Sequence, residues 1–178
     1  MKKTYDIIVG GSGIIGTVTA LALAEQGLSV ALVDEKPLKI NRKLHFDGRA
    51  YALSLSTVKM LSVLGVWKDL ANISQPILDM KVSDGTAGRG ASHFYMHFDH
   101  REMAVGPIGF MVEDRFLNQT LLENVLVHSN ISKFFGSKII NQVQNNGDIE
   151  VFLENKSSIV GRLLIGSDGR RSPIAQRS

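Results

Sequence analysis

An α/β fold built on a parallel sheet is what this sequence predicts, and three observations carry the prediction. Tyr5-Asp6-Ile7-Ile8-Val9 and Leu28-Ser29-Val30-Ala31-Leu32-Val33-Asp34 are apolar, β-branched runs of the kind buried on both faces of a parallel sheet. A helical pattern from Ile14 to Gln26 separates them, which is the strand-helix-strand order that parallel pairing requires. Three short alternating segments joined by tight turns then fill the last third of the chain.

Taken in order, the first run stops at glycine, and Gly16, Ala20 and Ala24 recur at four-residue spacing. They form a small-residue stripe on which the helix can lie close to the sheet. Gly27 supplies its C-terminal stop. Met1-Lys2-Lys3 followed by an apolar stretch imitates a secretory signal, but Asp6 and the glycines at 10, 11, 13 and 16 break the apolar core, and strand-turn-helix is the reading taken. Glu35 to Arg49 lacks periodicity and reads as a long functional loop. Val58, Leu61 and Leu64 share one face of a helix from Ser56 to Leu64 that ends at Gly65. Ile77 to Ser83 and Ser92 to Phe98 read as strands around the glycine-rich turn Asp84 to Gly90, and Glu113 to Val127 as a further helix. The closing meander runs Lys138 to Gln144, Ile149 to Glu154 and Ile159 to Ile165, with turns at Asn145-Asn146-Gly147-Asp148 and Asn155 to Ser158. The chain ends directly after a strand and a glycine-rich turn, which predicts a truncated architecture.

Composition removes several classes of function. Hydrophobic residues at 44% and charged residues at 21% match a globular chain rather than a disordered or fibrous one. A net charge of +3 is too small and too scattered to point to nucleic acid, so no nucleic-acid partner is expected. The absence of cysteine excludes a disulfide scaffold and a thiolate metal site, and fits a reducing cytoplasm. His93-x-x-x-His97 invites a metal reading, together with His45, His100 and His128. It is set aside, because residues four apart on a strand are distant and no acid is suitably spaced; the expectation is no metal.

Gly11-x-Gly13-x-x-Gly16 lies between the first strand and the first helix, the context in which this pattern gains force. Gly11 permits a tight turn, Gly13 lets the backbone approach a pyrophosphate, and Gly16 lets helix and strand pack closely. The helix N-terminus offers unpaired N–H groups to an anion. Asp34, at the end of the second strand, is placed to accept hydrogen bonds from a ribose hydroxyl. These residues predict a dinucleotide site. NAD and FAD share the fingerprint, but a long loop, a helix and a meander after the second strand are unlike the continuing strand-helix alternation of a nicotinamide dehydrogenase.

Asp47-Gly48-Arg49-Ala50-Tyr51-Ala52-Leu53-Ser54, Leu64-Gly65-Val66-Trp67 and Gly166-Ser167-Asp168-Gly169-Arg170-Arg171-Ser172 resemble, in the same order, three motifs of the FAD-dependent aromatic hydroxylases. The resemblance covers essentially the whole chain, and the most similar group is the 2-octaprenyl-6-methoxyphenol hydroxylases of ubiquinone biosynthesis. It implies a glutathione-reductase-like FAD-binding Rossmann domain over residues 1–178, with residues 72–112 the start of an inserted β-rich substrate domain. It implies that Arg49 helps to hold the flavin, and that Asp168 and Gly169 lie near the FAD pyrophosphate and the nicotinamide donor. Val112-Glu113-Asp114-Arg115, heading the helix with Leu121-Leu122, resembles the family segment whose side chains pass close to the flavin, which adds Arg115. A guanidinium suits a diphosphate because its planar fork makes paired charge-assisted hydrogen bonds.

The activity so implied is a monooxygenase in which NAD(P)H reduces FAD and O2 supplies the oxygen that hydroxylates a prenylated phenol. The cofactor carries the difficult chemistry, so no catalytic acid or base is named. A cytoplasmic location, peripheral to the inner membrane, and contact with a ubiquinone-biosynthesis complex go with that reading. A flavin oxidase or dehydrogenase, and an inactive fragment binding FAD or its ADP half, are the alternatives. Ala175 stands where the family often has an arginine, and the family's later FAD-binding Gly-Asp motif has no counterpart before Ser178.

Overall fold

The buried apolar runs assemble into a six-stranded sheet in one of the two compact units of the computed structural model, which describes residues 4–38, 46–102 and 106–178. That unit comprises Met1–Leu44 and Leu117–Ser178; the other is His45–Phe116. The chain is an α/β protein.

In the first unit β1 (Thr4–Gly10), β2 (Val30–Asp34), β8 (Ile131–Phe135), β9 (Ile139–Asn145), β10 (Asp148–Leu153) and β11 (Ser158–Gly166) lie in the order β8-β2-β1-β11-β10-β9. β1 pairs in parallel with both β2 and β11, β2 in parallel with β8, and the meander β9-β10-β11 is antiparallel. The chain leaves β1 towards β2 on one side while β11 flanks it on the other, so the carboxyl ends of β1, β2 and β11 bound a crevice at a topological switch point. Burial follows the sequence pattern: Ile8, Val9, Val30, Ala31 and Leu32 are fully buried. Tyr5, Val33, Val151, Leu153 and Ile159 join the core, with Phe134 edge-on to Tyr5 at 6.1 Å between ring centroids.

α1 (Ile14–Glu25) buries the expected stripe of Gly16, Ala20 and Ala24 and touches β1 and β2. Gly27, at φ +83°, follows it in the left-handed conformation. β2 begins two residues later than the apolar run suggests. Ser29 is taken up instead by Asp6, whose carboxylate accepts from the Ser29 N–H at 2.9 Å and from its hydroxyl at 2.6 Å. The β9–β10 turn has positive φ at both Asn146 and Gly147, the two-residue hairpin geometry that an Asn-Gly pair favours.

In the second unit β3 (Ala50–Ser54), β7 (Gly109–Glu113) and β4 (Gln75–Ile77) form a three-stranded sheet, and β5 (Asp79–Thr86) pairs with β6 (Gly90–Asp99) as a separate hairpin. The single strand expected from Ile77 to Ser83 is thus two strands that part at Leu78, because β4 takes β7 as its partner and β5 takes β6. α2 (Leu55–Val63) is capped by Ser54, whose hydroxyl accepts from the Thr57 N–H. Val58, Leu61, Val66, Leu70 and Val112 are buried, and Trp67 of α3 (Trp67–Leu70) packs on Phe110 at 5.0 Å. α4 (Asp114–Val127) begins where the Glu113 to Val127 helix was expected, and α5 (Pro173–Gln176) follows β11. Residues 39–45 of the long loop, His45 among them, lie outside the described residues. Among the described residues no helix is long and apolar enough to cross a membrane.

Candidate functional site

At the carboxyl end of β1 the glycine loop is tied to both neighbouring strands. The Gly11 N–H donates to the Val33 carbonyl at 2.7 Å, and the Ser167 N–H to the Gly10 carbonyl at 2.7 Å. Gly11 has φ +103°, and a Cβ there would lie 2.4 Å from the Ser167 carbonyl oxygen; a Cβ on Gly16 would lie 1.8 Å from the Gly11 oxygen. These two glycines answer to the protein's own packing. Gly13 does not, since nothing lies within 4 Å of a Cβ built on it. It is the N-cap of α1 and carries no side-chain cap, so the open ground beside it meets the N-terminus of a twelve-residue helix.

Asp34 closes one side of this ground. Its Oδ2 accepts from the Ser12 N–H at 2.6 Å and the Ser12 hydroxyl at 2.8 Å, and its Oδ1 accepts from the Lys36 N–H at 2.7 Å. Across the crevice, Asp168 and Gly169 follow β11. Oδ2 of Asp168 accepts from the Ile174 N–H at 3.2 Å, whereas its Oδ1 is buried with no hydrogen-bond partner. A buried acceptor left unmet is unfavourable, and a donor from a ligand would relieve it.

Gly11, Gly13, Asp34, Asp168, Gly169 and Arg171 line one cleft of about 480 Å³, a size usual for a small-molecule or cofactor site. The donor set suits a nucleotide diphosphate: an open helix N-terminus for the anion, a carboxylate fixed by three donors for a hydroxyl, and an unmet carboxylate oxygen opposite. Five sequence-predicted residues therefore share the cleft, and Gly16 stands behind it in α1. Sequence reasoning missed Ser12, Lys36, Lys138 and Arg171. Ser12 had a signal, being enclosed by the two glycines; Lys138 had none.

Arg49 and Arg115 belong to the other unit. Arg49 donates through Nε and Nη2 to Asp47 at 2.8 and 2.7 Å, and through Nη2 to Asp114 at 3.0 Å. Both carboxylates raise the guanidinium pKa above its usual value, the Asp47 hydrogen bond most. Arg115 donates to Glu113 at 2.5 Å and lies over the Phe116 ring at 4.6 Å, so this first-turn cation has an anionic neighbour.

The expectation that no acid accompanies the histidines is corrected. Strand pairing sets Asp79 opposite Asp99, and these two with His97 bring one ligand atom each within 4.8 Å of the others. Pairing across a hairpin is invisible in linear spacing. His97 meets Asp79 at 2.8 Å, but Arg101 Nε lies 2.9 Å from Asp99 Oδ2, and that guanidinium charge disfavours a cation there.

Residues 4–178 match the FAD binding domain family, and the chain belongs to it. It is 32% identical to ubiquinone hydroxylase UbiL of Rhodospirillum rubrum over 98% of its own length and 39% of that protein's. To 3-demethoxyubiquinol 3-hydroxylase of Escherichia coli it is 26% identical, over 98% and 44% of the two lengths. The chain thus spans about two fifths of these curated relatives. The p-nitrophenol 4-monooxygenase PnpA of Pseudomonas putida shares the fold, with a TM-score of 0.76 and 16% identity over 99% of this chain and 44% of that one.

Proposed function

We propose that this chain is the FAD-binding part of a flavin monooxygenase that hydroxylates a prenylated phenol in ubiquinone biosynthesis, with NAD(P)H as reductant and O2 as co-substrate. The observation that carries the reading is the meeting, in one cleft, of an uncapped helix N-terminus, a carboxylate ordered by three donors, and a buried carboxylate oxygen without a partner. The names of the relatives, ubiquinone hydroxylases among them, support the substrate class.

In this reading Gly11 and Gly16 shape the turn, and Gly13 leaves the diphosphate room to reach the α1 N–H groups. Asp34 accepts from a ribose hydroxyl, Asp168 takes a ligand donor on Oδ1 beside Gly169, Arg49 holds the diphosphate, and Arg115 borders the flavin. The chemistry FAD supplies when bound is acceptance of two electrons from NAD(P)H and, once reduced, activation of O2 for oxygen transfer to an electron-rich ring. What the protein contributes is orientation and exclusion of water. Residues 72–112 open the substrate domain; their place within the compact unit His45–Phe116 supports that assignment. A cytoplasmic enzyme peripheral to the inner membrane, in contact with other ubiquinone-biosynthesis proteins, suits a lipophilic substrate.

The test is the visible absorbance of the purified chain with and without added FAD, beside Gly13→Val and Asp34→Ala. Stoichiometric flavin that both substitutions abolish supports the reading. A folded chain that takes up no flavin overturns it.

A further inference from the structure

Arg49 sits between two carboxylates of opposite character. Asp47, two residues before it, is about half exposed, with 48% of its side-chain surface accessible, while Asp114 retains 9%. Asp114 is held from several sides: Oδ2 takes Arg49 Nη2 at 3.0 Å, Oδ1 takes the Tyr51 hydroxyl at 2.8 Å, and its own N–H donates to the Arg49 carbonyl at 3.0 Å. The β3–β7 register, Ala50 opposite Glu113, fixes these groups side by side. A buried carboxylate cannot leave such partners without a large desolvation penalty, whereas an exposed ion pair is held weakly and exchanges readily. Asp47 moreover engages Nε and Nη2, the edge of the fork that a diphosphate oxygen would take.

We propose that Asp114 is a positioning residue for Arg49, and that Asp47 is an internal stand-in for the cofactor diphosphate, displaced from the guanidinium when FAD binds. Asp114 and Tyr51 aim the fork. Asp47 keeps its charge compensated until a phosphate replaces it. The inference rests on the reading that Arg49 holds the flavin diphosphate.

The experiment titrates the purified chain with FAD and with adenosine, which lacks the diphosphate, in six forms: unsubstituted, Asp47→Asn, Asp114→Asn, Arg49→Ala, and Arg49→Ala combined with each of the other two. Asp47→Asn keeps the oxygen that accepts from the Arg49 N–H at 3.1 Å, so the turn survives while the charge goes. It is expected to tighten FAD about two- to fivefold, the scale set by releasing an exposed ion pair. Asp114→Asn is expected to weaken FAD about tenfold. Neither changes adenosine affinity, and neither has an effect when Arg49 is alanine. If Arg49→Ala leaves FAD affinity unchanged, the underlying reading of Arg49 fails, and the inference with it. If Arg49→Ala weakens FAD but Asp47→Asn does not tighten it, the stand-in fails alone. Equal loss of FAD and adenosine in Asp114→Asn, with the fold retained, assigns that residue a merely structural role and overturns its positioning one.

Discussion

Ser12 gives Asp34 two hydrogen bonds to the same carboxylate oxygen, one from its backbone N–H at 2.6 Å and one from its hydroxyl at 2.8 Å. The glycine loop and the acid at the end of β2 are therefore one device. The loop orders the carboxylate, and the carboxylate holds the loop at the head of α1. Asp34→Ala leaves the Ser12 and Lys36 N–H groups without this acceptor, so unfolding free energy should fall by about 1–3 kcal/mol. Ser12→Ala retains the backbone bond and should lose about 0.5–1.5 kcal/mol. Urea denaturation measures both, and its repetition with FAD present should show the stabilisation by ligand vanishing for Asp34→Ala.

Two glycines of one motif should behave in opposite ways. Alanine at Gly16 would set a Cβ 1.8 Å from the Gly11 carbonyl oxygen, a backbone atom that cannot swing aside. Gly16→Ala should therefore destabilise by more than about 3 kcal/mol or prevent folding. Gly13→Ala meets nothing within 4 Å, so its cost is confined to the poorer N-cap that alanine makes, about 0.5–1.5 kcal/mol. FAD affinity should nevertheless fall, because the methyl group occupies the ground a diphosphate needs. Thermal melts alongside flavin titration separate the two effects; equal destabilisation by both would remove the distinction.

Those glycines also mark how far the sequence was legible. Gly11, Gly13, Gly16 and Asp34 could be read because one strand-loop-helix-strand segment contains them all, and local geometry dictates their spacing. Asp168 and Gly169 reach the same cleft from the far end of the chain, through the parallel register that sets Gly10 against Gly166. No periodicity reports that register; a motif resemblance did. The Asp79–His97–Asp99 group lay hidden for the same reason, since hairpin register, not sequence distance, brings it together. β7 and β8 escaped notice because five-residue strands beside a helix carry too short an alternation to distinguish from the helix's own apolar pattern. Leu78 looked like strand interior because alternation continues across it, and only the change of partner separates β4 from β5.

Asp168 should show a trade between stability and binding. Its Oδ1 is buried without a partner and its Oδ2 accepts one bond, from the Ile174 N–H at 3.2 Å. Removing the side chain relieves the unmet acceptor while forfeiting that single bond. Asp168→Ala should thus change the stability of the flavin-free chain by less than about 1 kcal/mol. FAD affinity should fall about tenfold or more, because a ligand donor loses its charged acceptor. Calorimetric titration beside a denaturation curve reads both quantities, and a loss of stability matching the loss of affinity would count against a ligand-facing role.

Acid should loosen the second unit through Asp99. Hydrogen bonds from the Arg101 guanidinium, and then from the Arg101 N–H, hold this carboxyl well below its ordinary value of 3.8. A depressed pKa in the folded state means that the unfolded chain binds the proton more readily. The stabilisation is therefore fully present above 3.8 and is lost as pH falls through the depressed value. Trp67 is the single tryptophan and packs on Phe110 within the same unit, so its emission reports that unit's unfolding. Thermal midpoints followed by Trp67 should be lower for Asp99→Asn than for the unsubstituted chain between about pH 5 and 7, and the gap should narrow steadily once the solution is more acid than about pH 4. A gap that stays constant down to about pH 2 would show that the Asp99 charge contributes nothing to the stability of the hairpin.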